Sequence, residues 1–360
     1  MNYCSNYFIN ISHLKSNIKK LVRHAGRSVK FCAVVKADCY GLGFENVIPY
    51  IDDLVDMYAV ANLGECKALR VYTQKEILML GGVEIEDAHY YATNNIGVSV
   101  NSLNELKALE KALVNDKINI HIAYNTGMNR YGIKSELLLK KCVALIKKSS
   151  VLNLEGIYTH FATDDKNSEF LFKQYDKFNK IALKNKSSNC IFHCSASFAS
   201  LNYKQLNKDM VRVGFAMYGF INNNIGLQKV VNITSKVIEI QNVKRGEGVG
   251  YDLTYVANKN MRIAVVGFGY ADGYARNLGN MAYVLINGVK AKVIGRVCMD
   301  CFMVDITNIK NVYVGTGVML LGRDGNNEIT LQNYAEWLNT SPYEVLLNFR
   351  RTRTNVVLNK

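Results

Sequence analysis

Residues 31–43 read Phe31-Cys32-Ala33-Val34-Val35-Lys36-Ala37-Asp38-Cys39-Tyr40-Gly41-Leu42-Gly43. The first five are continuously apolar, the pattern of a short strand buried on both faces of a parallel sheet. Lys36 ends the run, and a Gly-containing loop, Tyr40 to Gly43, follows. An amine at the C-terminal tip of a buried parallel strand sits where barrel folds carry their chemistry. The plain alternative is a lysine that snorkels out of a strand end.

Seven further apolar runs extend the pattern: Met57–Ala61, Glu76–Leu80, Ile96–Val100, Ile118–Ala123, Glu155–His160, Cys190–Cys194 and Met210–Gly214. Segments of helical periodicity separate them, among them 102–115 and 135–148, and another lies within the first 30 residues. Strands alternating with helices predict an α/β chain with an N-terminal (β/α)8 TIM barrel over residues 1–224, with a doubly wound open sheet as the alternative. The spacings Gly41/Gly43 and Gly267/Gly269 do not complete a dinucleotide fingerprint. Beyond residue 225 the runs shorten and glycine turns punctuate them, which predicts a C-terminal mostly-β domain over 225–360 with one helix at 331–339.

Composition narrows the function. The 360 residues are 49% hydrophobic and 21% charged, enough apolar content for a large core. A net charge of +14 raises a nucleic-acid or anionic-surface partner, but the lysines come in scattered pairs (Lys19-Lys20, Lys140-Lys141, Lys147-Lys148) without a dense basic block. That pattern argues against nucleic acid. Nine cysteines, an odd number, show no disulfide framework and fit a reducing cytoplasm. Cys298-Met299-Asp300-Cys301 has CxxC spacing, and Cys190, His193 and Cys194 cluster, but no second CxxC completes a zinc site, so no metal is expected. No signal peptide and no membrane-spanning run is expected either.

Lys36, Arg130, His160, Ser197 and Arg212 all fall at or just beyond predicted strand ends. Each has a structural reading: a surface arginine, a core histidine, a helix-capping serine, half of an ion pair. Together they describe a cationic rim with a lysine whose pKa is lowered by its neighbours, the condition for a free, nucleophilic amine. Ser197 and the Val213-Gly214-Phe215 turn offer a hydroxyl and backbone N–H groups to a phosphate. The combination points to pyridoxal phosphate.

These residues sit in motifs that resemble the alanine racemase family of fold-type III pyridoxal enzymes. Ala33 to Gly43 resembles its pyridoxal-lysine signature. Thr126-Gly127-Met128-Asn129-Arg130, Thr159-His160-Phe161-Ala162, Arg212-Val213-Gly214 with Tyr218-Gly219, Gly269-Tyr270-Ala271-Asp272-Gly273, Gly295 to Asp300 and Tyr343-Glu344 resemble the family's other motifs in order. The resemblance implies a pyridoxal 5'-phosphate Schiff base on Lys36. It also implies a two-base racemisation of L- and D-alanine, with Lys36 on one face of Cα and Tyr270 on the other. His160 and Arg212 would support Tyr270. Arg212 would face the pyridine nitrogen, which must then stay unprotonated, because arginine only donates. Tyr40, Ser197, Gly214 and Phe215 would hold the phosphate. Arg130, the Met299 backbone and Asp300 would serve the cofactor oxygen or the substrate carboxylate. The implied partners are a small amino acid and a second copy of the chain, in a homodimer with shared sites. The implied role is D-amino-acid supply for cell-wall peptidoglycan.

Three departures bear on substrate. Ala123 stands where the family usually has lysine or asparagine, and Asn125 replaces its aspartate, which leaves Arg130 to an anion such as chloride or to another side chain. Ala196-Ser197 replaces Asn-Ser. Phe349-Arg350-Arg351-Thr352-Arg353 lacks the family's tyrosine. A more polar pocket would admit serine, as in serine racemases of the vancomycin-resistance type. A non-catalytic pyridoxal-binding protein is the reading from another class, but such proteins resemble the barrel alone.

Overall fold

Short apolar runs bounded by turns form strands, and longer periodic segments form helices. The computed structural model describes residues 4–185, 190–221, 224–349 and 351–360, and of Arg351 the backbone only. A first strand, β1 (Asn6–Asn10), precedes eight parallel strands: β2 (Lys30–Val34), β3 (Met57–Val60), β4 (Ile77–Met79), β5 (Ile96–Val100), β6 (Ile118–Ala123), β7 (Leu152–Tyr158), β8 (Ile191–Ala196) and β9 (Met210–Val213). These eight close into a barrel in sequence order, with β9 returning to β2 through Cys32↔Arg212. Closure removes the open-sheet alternative and matches the barrel expected from the sequence. Helices cross between the strands, and Asn62, Ser102 and Ser135 cap three of them by accepting the N–H three residues on.

Two polar rings, His121 and His193, sit fully buried inside this apolar barrel. The strand register shifts beside each, between Ile120 and His121 on β6 and between His193 and Ala196 on β8. Gly156 on β7 leaves the space: a Cβ there would lie 2.4 Å from His121 Nδ1.

The second compact unit comprises residues 1–13, 40–42 and 229–360; the barrel unit comprises 14–39 and 43–228. Ten strands follow the barrel: β10 (Val231–Val243), β11 (Gly248–Val249), β12 (Tyr255–Val256), β13 (Met261–Val266), β14 (Tyr283–Ile286), β15 (Val289–Ile294), β16 (Phe302–Asp305), β17 (Gly317–Asp324), β18 (Asn327–Ile329) and β19 (Asn355–Asn359). Nine strands make one sheet in the order β18-β17-β14-β15-β16-β13-β10-β1-β19, and β10 also pairs with β17, so the order closes on itself. The long β10 serves both neighbours by shifting register at two points. An aromatic cluster fills the interior, with Tyr274 stacked on Phe302 at 4.4 Å and Tyr334 and Phe349 edge-on nearby.

Several elements escaped the sequence reading, the short β11, β12 and β18 among them. Strand β1 precedes the first helix, β19 follows the last one, and a helix at Pro342–Asn348 follows the expected one, which spans Leu331–Leu338. That second helix has seven residues, too few for a periodic signal.

Gly156→Ala is expected to destabilise the barrel by about 1–3 kcal/mol, because the added methyl meets a buried ring and the Ile191 carbonyl rather than a flexible chain end. The urea unfolding midpoint measures it.

Candidate active site

Arg212 lies on β9 and is only 3% exposed. Its Nη1 donates to His193 Nδ1 at 2.7 Å. Its Nη2 donates to the Thr159 carbonyl at 2.8 Å and lies 3.3 Å from His160 Nδ1. Below it, Tyr158 stacks on His193 at 5.0 Å and carries the guanidinium 5.1 Å above its ring centroid. Arg212 makes no ion pair among the described residues, so its charge is buried against neutral groups. The consequence falls on the histidines. Burial, and after it Arg212, Arg130 and Lys36, push His160 down to about 3. Its Nδ1 faces a group that can only donate, so that nitrogen is the acceptor and Nε2 carries the proton.

Lys36 follows β2 and stands exposed at the barrel mouth. The walls around its ammonium still strip enough water to hold its pKa below the usual lysine value. Arg130 adds to that and Glu65 opposes it. The four residues after Lys36 are all left-handed: Ala37 (φ 52°), Asp38 (φ 53°), Cys39 (φ 57°) and Tyr40 (φ 57°). None is glycine, so each position costs about 1–2 kcal/mol. Bonds from outside the turn hold it: Ala37 N–H to Glu65 Oε1 at 2.9 Å, Gly43 N–H to the Asp38 carbonyl at 2.9 Å, and Phe44 N–H to Asp38 Oδ1 at 2.7 Å. Strand β2 therefore ends at Val34, one residue earlier than the apolar run predicts, and Lys36 opens the turn.

Arg130 is exposed and lies 5.6 Å from the Tyr131 ring centroid. Its loop is organised by Asn125, whose Oδ1 accepts from Gly127 and Asn129 N–H groups at 3.0 and 3.2 Å. Ala123, Asn125, Thr126, Tyr158 and His160 help line a cavity of about 40 Å³ beside Arg130, room for a water or small ion. Ser197, 6% exposed after β8, accepts from Gly214 and Ala216 N–H groups at 3.1 and 3.4 Å, and Phe215 is buried in the same turn.

The second unit holds the remaining predicted residues. Tyr270 is 40% exposed and Met299 53% exposed. Their turns interlock: Tyr270 N–H donates to the Cys298 carbonyl at 3.1 Å and Ala271 N–H to the Met299 carbonyl at 3.0 Å. Gly269 permits this, since a Cβ there would sit 2.1 Å from the Met299 carbonyl oxygen. Arg353 ties Asp300 (2.7 Å) to Asp272 (3.0 Å), and Asp272 Oδ2 accepts from Gly269 N–H. Sequence reasoning left 349–353 without a role; the spacing of two aspartates gave no sign of their shared arginine. Arg350 lies outside the described residues. Tyr40, also of this unit, is buried with its ring 6.3 Å from Tyr343. Cys298 and Cys301 are free thiols.

The barrel donor set fits pyridoxal phosphate on chemical grounds. A lysine of lowered pKa suits an aldehyde, a buried arginine with only neutral partners suits an aromatic nitrogen lone pair, and a buried hydroxyl beside backbone N–H groups suits a phosphate.

Among known proteins, the alanine racemase N-terminal domain matches residues 9–222 and the alanine racemase C-terminal domain residues 230–357. The alanine racemase of Lactococcus lactis subsp. lactis is 35% identical over 348 residues, covering 94% of each chain. The crystal structure of alanine racemase from E. faecalis superposes with a TM-score of 0.91 at 31% identity, covering 99% of this chain and 98% of the other. The Bartonella henselae alanine racemase, solved with covalently bound pyridoxal phosphate, gives a TM-score of 0.89 at 25% identity, covering 99% of each. With both domains matched along nearly the whole chain, this protein belongs to the alanine racemase family and is an amino-acid racemase.

Proposed function

We propose that the chain interconverts L- and D-alanine with pyridoxal phosphate held on Lys36, working as a homodimer in which each site takes Tyr270 from a second copy. The observation that carries the reading is a lysine of lowered pKa on the same barrel rim as a buried Arg212 that has no carboxylate partner among the described residues. Tyr270 and Met299 are exposed in the single chain, as residues serving a second copy's site would be.

When bound, the cofactor supplies an electrophilic carbon for the amino group and a conjugated ring that accepts charge from Cα. The Lys36 amine, its pKa held below the usual lysine value, takes or returns a proton on one face of Cα. The Tyr270 hydroxyl does the same on the opposite face. Arg212 would donate a hydrogen bond to the cofactor's ring nitrogen without giving up its proton, which would leave that nitrogen unprotonated and favour return of the proton to Cα. His160, neutral with Nε2–H, is the group through which Arg212 acts on the tyrosine. Ser197, Gly214, Phe215 and Tyr40 hold the phosphate. Arg130 and the Met299 backbone receive the substrate carboxylate, and Asp300 supports the site. The product suits cell-wall peptidoglycan supply, and no helix among the described residues is long and apolar enough to cross a membrane.

Serine is the second reading. It is favoured by Arg353, which stands beside Asp300 at 2.7 Å in the segment where the family often has a tyrosine. A charged, polar neighbour tolerates an added hydroxyl better than an aromatic one.

Three measurements check these assignments. Lys36→Ala is expected to lose the visible absorbance of the bound cofactor; a retained band places the cofactor elsewhere. Tyr270→Phe should lower kcat by about 10²–10⁴-fold and, in heavy water, suppress deuterium uptake from one enantiomer more than from the other. Alanine should exceed serine in kcat/KM, and a serine value tenfold above alanine would reverse the order of the two readings.

A further inference from the structure

Behind Arg212 a column of polar groups crosses the apolar barrel interior. His193 Nε2 lies 2.9 Å from His121 Nδ1, and His121 Nε2 lies 3.3 Å from Glu155 Oε2. Glu76 stands beside them, its Oε1 accepting from Asn119 at 3.0 Å, and Glu76, His121 and Glu155 each present an oxygen or nitrogen within 4.8 Å of the others. Gly97 leaves the room, since a Cβ there would lie 3.2 Å from Glu76 Oε1.

One end dictates every proton in this column. Arg212 can only donate, so His193 Nδ1 is bare and its Nε2 carries hydrogen. That hydrogen goes to His121 Nδ1, which is therefore bare, and His121 Nε2–H points at Glu155. Both rings are neutral: burial holds His121 down at about 4 and His193 lower still. The His–Glu–Glu cluster has the donor types of a cation site, but the direction of the column opposes one. A metal on His121 Nε2 would put hydrogen on His121 Nδ1 and strip it from His193 Nε2, leaving His193 Nδ1–H against Arg212 N–H. Two adjacent carboxyls in a half-buried place must then relieve their repulsion another way, and Glu76 is pushed up to about 7 by burial and by Glu155. Charge gives the same count. Arg212 is a buried cation with no ion pair among the described residues, and a carboxyl pair holding one proton supplies a single negative charge at the far end.

We propose that Glu76 and Glu155 share one proton and act as positioning residues, anchoring the column Glu155–His121–His193–Arg212 that fixes both histidine tautomers and holds Arg212 in place. This rests on the reading that Arg212 serves the reacting site. Among the described residues the titratable groups facing the pair are His121, the Cys32 thiol toward Glu76 and the Cys190 thiol toward Glu155, with Arg212 and Lys30 reaching His121 and the uncharged Asn119 bonded to Glu76.

The chain has six histidines, so the holoenzyme labelled with nitrogen-15 histidine can be read ring by ring. The expected wild-type result is Nε2–H on both His121 and His193, with the His121 Nε2–H shift titrating near the Glu76 pKa of about 7. Glu76→Gln should abolish that titration and keep the tautomers. Glu155→Leu should disturb the His121 tautomer and lower kcat/KM by about tenfold or more, mainly through kcat, and Glu155→Gln, which keeps an oxygen acceptor, should restore both. Nδ1–H on either wild-type ring overturns the proposal, as does a His121 shift that does not titrate. So does one-to-one zinc uptake, by calorimetry, that Glu76→Gln removes. If Glu155→Leu fails to fold, the Glu76→Gln titration decides alone. Arg212→Lys separates the two readings. A loss of about a hundredfold with an indifferent Glu155→Leu sinks the column alone, whereas an indifferent Arg212→Lys sinks the reading of Arg212 on which it rests.

Discussion

A guanidinium buried in a barrel, with no paired carboxylate among the described residues, is the constraint on which the rest of this structure depends. Removing such a charge from water costs several kcal/mol, and neutral hydrogen bonds recover only part of that. Arg212 takes its bonds from a ring nitrogen of His193, the Thr159 carbonyl and the edge of His160, and rests on the face of Tyr158. Each partner is constrained in return. The histidines cannot charge, Tyr158 must lie flat beneath the guanidinium, and β6 and β8 must shift register to make room for the rings.

The rim is set by burial more than by this charge. The walls around the Lys36 ammonium strip water from it and Arg130 adds its repulsion, so the amine is driven toward the neutral form. The left-handed turn after Lys36 fixes where the chain goes next, and Glu65 and Asp38 stabilise it with bonds to Ala37 and Phe44.

Much of this was legible in the chain. Eight apolar runs of strand length announced the barrel, and Lys36, Arg130, His160 and Arg212 stand at its strand ends because charges at such positions have few other places to go. The column behind Arg212 was not legible. His121 and Glu155 lie inside runs that read as ordinary strand, and His193 read as part of a cysteine cluster, because sequence spacing does not show which neighbours face the barrel axis. Arg353 escaped for a related reason: its partners, Asp272 and Asp300, are 81 and 53 positions away. Strands β1 and β19 escaped because each has only five residues, and its apolar pattern gains meaning only beside the other.

That last pairing carries a consequence for how the protein is made. β1, which precedes the barrel in the chain, lies antiparallel to β10 and parallel to β19, with Asn6 opposite Thr234 on one side and Asn355 on the other. The segment that forms the barrel is therefore an insertion between the first strand of a sheet and all its partners. On the ribosome β1 must wait through the synthesis of the entire barrel for its first neighbour, and for that of β10 to β18 as well for its second. The barrel can complete its hydrogen bonding while translation continues, whereas the second unit remains an unfinished sheet with an unpaired edge until β19 emerges.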